Sequence, residues 1–391
     1  MNHSAMHRWL RGPAVPALLT CMLLCLTCSG VSRGASDDLK ATDAARAWPL
    51  CRGNPLSTGV YPGRLPEELE VLWTFEPEKA GFEATAVIAD GVVFVGSLDG
   101  EMFAVNLSDG SEKWKFPTEA GFRAAAAVRD GRVYAGDMDG VVYCLDAATG
   151  EELWKFATDG EVSGGPGFYQ DKILVGSQDA TLYCLNADGT EAWRYTIGDQ
   201  IRCGITVVEN RAFLAGCDGL LHIVNLDTGE SAASVKIGAP MPGSTPAVLG
   251  DRVYFGCEGD QFFCVDWRKA SIEWTAEHGQ KYSQFRSSAA VTEEIVVFGG
   301  QDGTVYALRP ADGEPLWDFP MRTKIDSSPV IVGQRAFIGG NKGQLYGLDL
   351  ASGEVVFEYE AGGHFPAAPA VADGRLVIGN DDGTLYCFGE K

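Results

Sequence analysis

Basic residues and histidines are scarce in this chain. It has 391 residues, with 31 Lys and Arg against 53 Asp and Glu, a formal net charge of −22 at pH 7, and five His. Binding to nucleic acid or to an anionic membrane depends on Lys and Arg, so this balance argues against both kinds of partner. Three His follow the N-terminal segment (His222, His278 and His364), and their spacing predicts no zinc site.

Long apolar runs are also lacking. The run from Ala14 to Cys28 has 15 residues, fewer than the roughly 20 that a membrane-spanning helix needs. Basic residues precede it and small residues follow it, as in a secretory signal. We therefore expect residues 1–35 to be a signal peptide and the protein to be exported to the periplasm or cell envelope. Lipid attachment at Cys28 is the alternative, although the preceding Cys25-Leu26-Thr27 fits such a motif poorly.

A repeat of about 40 residues organises the rest of the chain. Its clearest copy is DGVVYCLDAATGEELWKF, which begins at Asp139. Equivalent positions stand at Asp99, Asp139, Asp179, Asp218, Glu258, Asp302, Lys342 and Asp382, with spacings of 40, 40, 39, 40, 44, 40 and 40. Several short strands per unit at this period predict a β-propeller. The 49 Gly and the 10% aromatic content also favour an all-β fold.

Each unit predicts four strands, A to D, joined by tight turns such as Asp130-Gly131 and Asp139-Gly140. The last copy stops after strand C at Phe388, and an orphan D-type strand, 71–75, precedes the first copy. Pairing these two segments completes an eighth blade and removes an open sheet edge. We therefore predict one all-β domain over residues 69–391, an eight-bladed propeller of four-stranded antiparallel blades, after a leader or linker over 36–68.

Two columns of the repeat predict packing positions rather than chemistry. Large rings recur in strand D, at Trp73, Trp114, Trp154, Trp193, Trp274 and Trp317, with Ala233 and Phe357 as departures. Small residues recur in strand C, including Cys144, Cys184, Cys264 and Cys387. Free buried cysteines behave as small apolar residues, so we expect neither a metal site nor a disulfide framework there. Cys203 and Cys217 flank one predicted hairpin and are the candidate disulfide pair.

These features resemble the pyrroloquinoline-quinone-like (PQQ-like) repeat propellers, whose repeats carry the core seen here as Gly150-Glu151-Glu152-Leu153-Trp154. Without inserted domains, the chain is most similar to the BamB-like outer-membrane assembly lipoproteins. Its Trp48-Pro49-Leu50-Cys51-Arg52-Gly53 is similar to a leader of exported bacterial members. The resemblance implies protein binding in the envelope. In quinone-dependent members it implies a Ca²⁺ site, a catalytic Asp and a vicinal disulfide, none of which maps onto this sequence.

One ring of residues at the start of strand A is the candidate partner-binding site. Aligning the units gives Glu83, Arg123, Ser163, Arg202, Gly243, Arg286, Asp326 and Pro366. Strand A is innermost in a propeller, so this ring lies around one mouth of the central channel. Its three Arg suit a carboxylate, a phosphate or an acidic peptide. The alternative is that they pair with Glu83, Asp326 or acidic loop residues.

A longer loop follows blade 5 on the same predicted face. It begins at Thr275 and ends at Gln284, and it offers His278 and Tyr282 as further candidates for partner contact. Irregular loops on a rigid scaffold often carry recognition, although a neutral insertion explains the length equally well.

The sequence supports three function hypotheses. The first is a non-enzymatic exported scaffold, a monomer without cofactor, that binds a protein or peptide partner in the cell envelope. The second is a quinone-dependent oxidoreductase with PQQ and calcium. The third is a propeller that binds a small ligand or glycan. No catalytic, cofactor-binding or metal-binding residue is predicted.

Overall fold

Short strands separated by Gly-containing turns account for the whole architecture. The computed structural model describes residues 46–241, 243–277 and 284–391. In these residues the strands form eight sheets around a central channel, in a closed ring; each has four antiparallel strands, and one gains a short parallel strand. No helix in the described part of the chain is long and apolar enough to cross a membrane. The expected signal peptide and Cys28 lie outside the described residues.

Blades 1 to 4 each consist of four consecutive strands, A to D from the channel outwards. Blade 1 comprises β3 (Val87–Ala89), β4 (Val92–Gly96), β5 (Glu101–Asn106) and β6 (Glu112–Pro117). Blade 2 comprises β7 (Ala127–Arg129), β8 (Arg132–Gly136), β9 (Val141–Asp146) and β10 (Glu152–Ala157). Blade 3 comprises β11 (Gly167–Tyr169), β12 (Lys172–Gly176), β13 (Thr181–Leu185) and β14 (Glu191–Thr196). Blade 4 comprises β15 (Thr206–Val208), β16 (Arg211–Ala215), β17 (Leu220–Asn225) and β18 (Glu230–Lys236).

Blades 5 to 8 repeat this order, with additions from the N-terminal segment in the last two. Blade 5 comprises β19 (Ala247–Leu249), β20 (Arg252–Gly256), β21 (Gln261–Asp266) and β22 (Ser271–Glu277). Blade 6 comprises β23 (Ala290–Val291), β24 (Val296–Gly299), β25 (Thr304–Leu308) and β26 (Pro315–Pro320). Blade 7 comprises β27 (Val330–Val332), β28 (Arg335–Gly339), β29 (Gln344–Asp349) and β30 (Val355–Glu360), and β1 (Val60–Tyr61) adds to its inner edge. Blade 8 comprises β31 (Ala370–Ala372), β32 (Arg375–Gly379), β33 (Leu385–Gly389) and β2 (Glu70–Phe75).

The predicted seam is confirmed. Strand β2 pairs antiparallel with β33, and Trp73 lies opposite Cys387. The N-terminal strand therefore supplies the outer strand of the last blade, and the ring of blades is closed.

The Trp column packs between blades, as the sequence predicts. Each Trp ring of strand D lies against the glycine of the next blade's C–D turn. A Cβ at Gly110, for example, would be 2.7 Å from the Trp73 ring. Where the column has Ala233 instead of Trp, the matching turn residue in blade 5 is Ala270 rather than Gly. Ala270 also has a positive φ, of 51°, so it is the Trp ring that requires glycine at this turn.

The cysteine column of strand C holds small residues because each of them lies opposite a large ring of strand D. Cys144 lies opposite Trp154 in the C–D pairing, and Cys184 opposite Trp193. All four cysteines of the column are buried and free, which confirms the packing prediction. Burial also raises the pKa of the Cys184 thiol to about 12.

Candidate binding site at the channel mouth

The ring predicted from the sequence surrounds one mouth of the channel. Each ring residue lies a few positions before a short inner strand, so eight chain segments bring these side chains to one place. They line a cavity of about 550 Å³, together with Glu161 and Gln178. This volume is within the range of small-ligand pockets. The structure thus brings together every candidate of the ring: Glu83, Arg123, Ser163, Arg202, Gly243, Arg286, Asp326 and Pro366.

Arg123 is neutralised by two carboxylates. Its Nε donates to Glu83 Oε2 at 3.0 Å, and its Nη1 donates to Glu161 Oε1 at 2.9 Å. Burial acts to lower the pKa of Arg123, but the bonds and charges of Glu83 and Glu161 outweigh it and raise that pKa. This arginine is therefore occupied within the protein, as the pairing alternative predicts.

Asp326 is also occupied, by neutral donors. Asn341 Nδ2 donates to its Oδ2 at 2.7 Å, and Gln301 Nε2 donates to its Oδ1. Gln178 Nε2 donates to the Ser163 hydroxyl at 3.1 Å. Asp326 thus takes part in no ion pair among the described residues, and the pairing alternative is wrong for this side chain.

Arg202 and Arg286 differ from Arg123. The Nε of Arg202 donates to Gln200 Oε1 at 2.8 Å, and the Nε of Arg286 donates to Gln284 Oε1 at 3.1 Å. Each arginine is exposed, and neither has a carboxylate partner among the described residues. In each case the glutamine two positions earlier orients the guanidinium and leaves its Nη groups free of carboxylates.

Three other sequence candidates have different outcomes. Cys203 and Cys217 are both free, so the candidate disulfide is wrong. Cys203 Sγ instead lies 3.4 Å from the backbone N–H of Ala215, and Cys217 Sγ lies 3.7 Å from the Met241 carbonyl. His278 and Tyr282 lie outside the described residues, so their proposed contact with a partner stays a prediction.

The opposite end of the channel is closed by the segment 48–61, which we call the leader belt. It hydrogen-bonds to the inner strands in blade order. Trp48 exchanges two backbone bonds with Ile88 of blade 1, and the carbonyl of Pro49 accepts from Val128 of blade 2. The belt then continues to the inner strands of blades 4, 5, 6 and 7, at Val207, Val248, Val291 and Ile331. Each of these contacts lies five positions after the ring residue of the same blade, and so further along the inner segment of that blade.

Arg52 crosses the channel within the leader belt. Its backbone lies between the belt residues that bond to blades 2 and 4, yet its Nη2 donates to the carbonyls of Pro329 at 2.6 Å and Ala289 at 3.2 Å, in blades 7 and 6. Its Nε and Nη1 are buried without a hydrogen-bond partner. Burial lowers the pKa of Arg52 to about 10, which still leaves it protonated at neutral pH. The belt therefore closes this end with a cation that no carboxylate neutralises among the described residues.

Sequence reasoning identified the Trp-Pro-Leu-Cys-Arg-Gly segment only as a family leader and placed it before the propeller domain. In the structure, part of this leader is built into the propeller. A signal was present in the sequence: an Arg among apolar residues, and Gly53 and Gly59 around it. Their positive φ values of 83° and 64° permit the turn in which Gly59 lies against the Arg52 guanidinium.

The carboxylates that line the channel mouth do not form a calcium site among the described residues. Calcium requires several carboxylate or carbonyl oxygens around one point. Within the described residues, no three His, Cys, Asp or Glu side chains come together in a way that would hold a metal ion. Of the acids at the mouth, Glu83 and Glu161 are both bonded to Arg123, and Asp326 accepts from Gln301 and Asn341.

The fold and the site define a class: a closed eight-bladed β-propeller of tryptophan-containing repeats, with one end of its channel sealed and one end open. The sequence model of the family described as outer membrane protein assembly factor BamB matches residues 67–143, 138–276, 188–324 and 301–391. Because these matches cover most of the chain, this protein belongs to that family of PQQ-like repeat propellers.

Solved structures share the fold at low sequence identity. BamB from Moraxella catarrhalis is 17% identical, with a TM-score of 0.71, and the match covers 83% of this chain and 100% of that one. The quinohemoprotein alcohol dehydrogenase from Comamonas testosteroni is 16% identical, with a TM-score of 0.77, over 92% of this chain and 83% of that one. A comparison with curated protein sequences finds no significant match. The structural likeness therefore concerns the fold.

Proposed function

We propose that this protein is an exported, non-enzymatic scaffold of the cell envelope that binds a protein or peptide partner at the channel mouth. The observation that carries the proposal is the contrast at the mouth between Arg123, which two carboxylates occupy, and Arg202 and Arg286, which none occupies. Membership of the BamB family supports a binding role in the envelope.

The shape of the channel supports binding from one side. The leader belt bonds to the inner strands of six blades at the far end, so the open mouth is the entry to the cavity. Rigid inner strands hold the lining residues, and a rigid site loses little conformational entropy when a partner binds.

Site-specific photo-crosslinking tests this proposal. A benzoylphenylalanine would replace Ser163 or Pro366 at the mouth, with Gln334 as the control, since Gln334 lines a different surface groove between blades 6 and 7. In the native host we expect a discrete protein adduct from the mouth positions and none from Gln334. Mouth positions that give no adduct, or the same adducts as Gln334, would contradict the proposal.

Analysis of the protein purified from its native host tests the scaffold hypothesis against the oxidoreductase hypothesis. We expect its extract to contain no stoichiometric quinone or calcium, and no dye reduction when PQQ and calcium are added. A stoichiometric quinone, or quinone-dependent dye reduction that saturates with an alcohol substrate, would overturn the non-enzymatic part of the proposal.

A further inference from the structure

We propose that Arg202 and Arg286 form a receiving site for one carboxylate of the partner, and that the remainder of the ring takes no direct part in binding that carboxylate. This inference rests on the proposed function and assigns the chemical group that the mouth recognises.

The first argument is the asymmetry of the ring. Arg123 is committed to Glu83 and Glu161, while Asp326 is committed to Gln301 and Asn341. Among the described residues that line the mouth, only the Arg202 and Arg286 cations lack a carboxylate partner. The unneutralised positive charge is therefore confined to the sector that blades 4, 5 and 6 contribute.

The second argument is the space between these two arginines. Blade 5 contributes Gly243 to the ring between them, with φ of 110°. A Cβ built there would meet only atoms of Arg202, at 3.8 and 3.9 Å, so this sector is open. Guanidinium groups bind carboxylates through paired N–H donors, and among the described residues no carboxylate bonds to the Nη groups of either arginine.

The third argument is the charge below the mouth. Arg52 is buried at the closed end and has no carboxylate partner in the part of the chain that the structure describes, and low-dielectric walls weaken the screening of its field along the channel. Its charge therefore favours an anion at the mouth.

The proposed partner defines the anion as a carboxylate. This partner is a protein or peptide, and a carboxylate is the negatively charged group that an unmodified peptide carries. A carboxylate can come from an Asp or Glu side chain or from a chain terminus, and the probes below distinguish these sources.

The test uses two peptides labelled with an uncharged BODIPY dye, and fluorescence anisotropy. One is Asp-Asp-Ser-Asp-Asp with an amidated C-terminus, and the other is Asn-Asn-Ser-Asn-Asn with a free C-terminal carboxylate. We expect at least one of them to bind the full mature protein, with affinity that falls as salt rises. The variant Arg202→Gln/Arg286→Gln should weaken that binding at least tenfold.

The matched control is Lys113→Gln/Lys236→Gln. It removes the same number of positive charges from exposed positions in the outer strands of blades 1 and 4 that do not line the mouth cavity. Affinity within twofold of wild type is expected, which would separate a local site from a change in net charge.

Three outcomes would overturn the inference. They are binding of neither peptide to the wild-type protein, equal binding to the Arg202→Gln/Arg286→Gln variant, and an equal loss of affinity in the control variant. If crosslinking at Ser163 captures a partner and the double variant still captures it equally, the carboxylate site fails while the proposed function stands. If the mouth captures no partner, the proposed function fails, and peptide binding still decides the carboxylate site.

Discussion

The two ends of the channel are formed by the same eight inner strands, but their polar groups are satisfied differently. At the closed end, the leader belt supplies backbone partners to six blades, and the buried Arg52 side chain reaches two carbonyls across the channel. At the open end, the ring residues instead line a cavity. Backbone pairing makes the first end a structural element, whereas the uncommitted cations of the second are suited to binding.

Of the substitutions that test this comparison, replacement of Trp48 should lower the free energy of unfolding most. Trp48 is fully buried where the leader belt meets blade 1, so Trp48→Ala should lower the free energy of unfolding by about 3–5 kcal/mol. Chemical denaturation measures the change. Leu56→Ala is the control in the same belt, since Leu56 is 36% exposed, and it should cost below about 1 kcal/mol. Equal losses in the two variants would show that the belt is not anchored as described.

Adding a methyl group at Gly59 should destabilise the closed end by a smaller amount than the loss of Trp48. A Cβ there would be 2.0 Å from Arg52 Nη2, at a φ of 64°. Gly59→Ala should cost about 1–2 kcal/mol for the backbone and a further 1–3 kcal/mol for the clash. Gly91→Ala isolates the backbone cost, because Gly91 has a similar φ of 72° and nothing within 4 Å of its Cβ position. An equal loss of stability in the two variants would mean that contact with Arg52 adds nothing to the cost of Gly59→Ala.

Substitution of Arg123 should affect stability less than either change in the belt. Exposed ion pairs contribute at most about 1 kcal/mol, and the Arg123 side chain is 43% exposed. A double-mutant cycle of Arg123→Gln with Glu161→Gln should give a coupling below about 1 kcal/mol, and it should decrease in high salt. A coupling of several kcal/mol would mean that the mouth, too, is built for stability.

The smallest change in stability is expected for Arg202→Gln/Arg286→Gln. Neither side chain bonds to a carboxylate, so the free energy of unfolding should stay within about 0.5 kcal/mol of wild type. Thermal unfolding checks this value on the protein used for peptide binding. A marked loss of stability here would assign both arginines a structural role and weaken the contrast between the two ends.

Repetition made the fold predictable from sequence. The Trp column, the small residues opposite it and the orphan strand at 71–75 each follow from a local pattern that recurs, and the structure confirms them. The eight ring positions were predictable for the same reason. The partners of the three arginines were not predictable. Glu161, Gln200 and Gln284 occupy the same repeat position, yet Glu161 accepts from the arginine of the preceding blade. Each glutamine instead accepts from the arginine two positions later.

The sequence by itself determined the number of blades, the closure of the ring and the residues at the mouth, since each depends on contacts repeated at a fixed interval. Only the tertiary structure decided which arginines are neutralised and that the leader belt seals one end. Both depend on contacts between residues far apart in the chain. Arg52, for example, meets carbonyls 237 and 277 positions away, and no local pattern encodes that meeting.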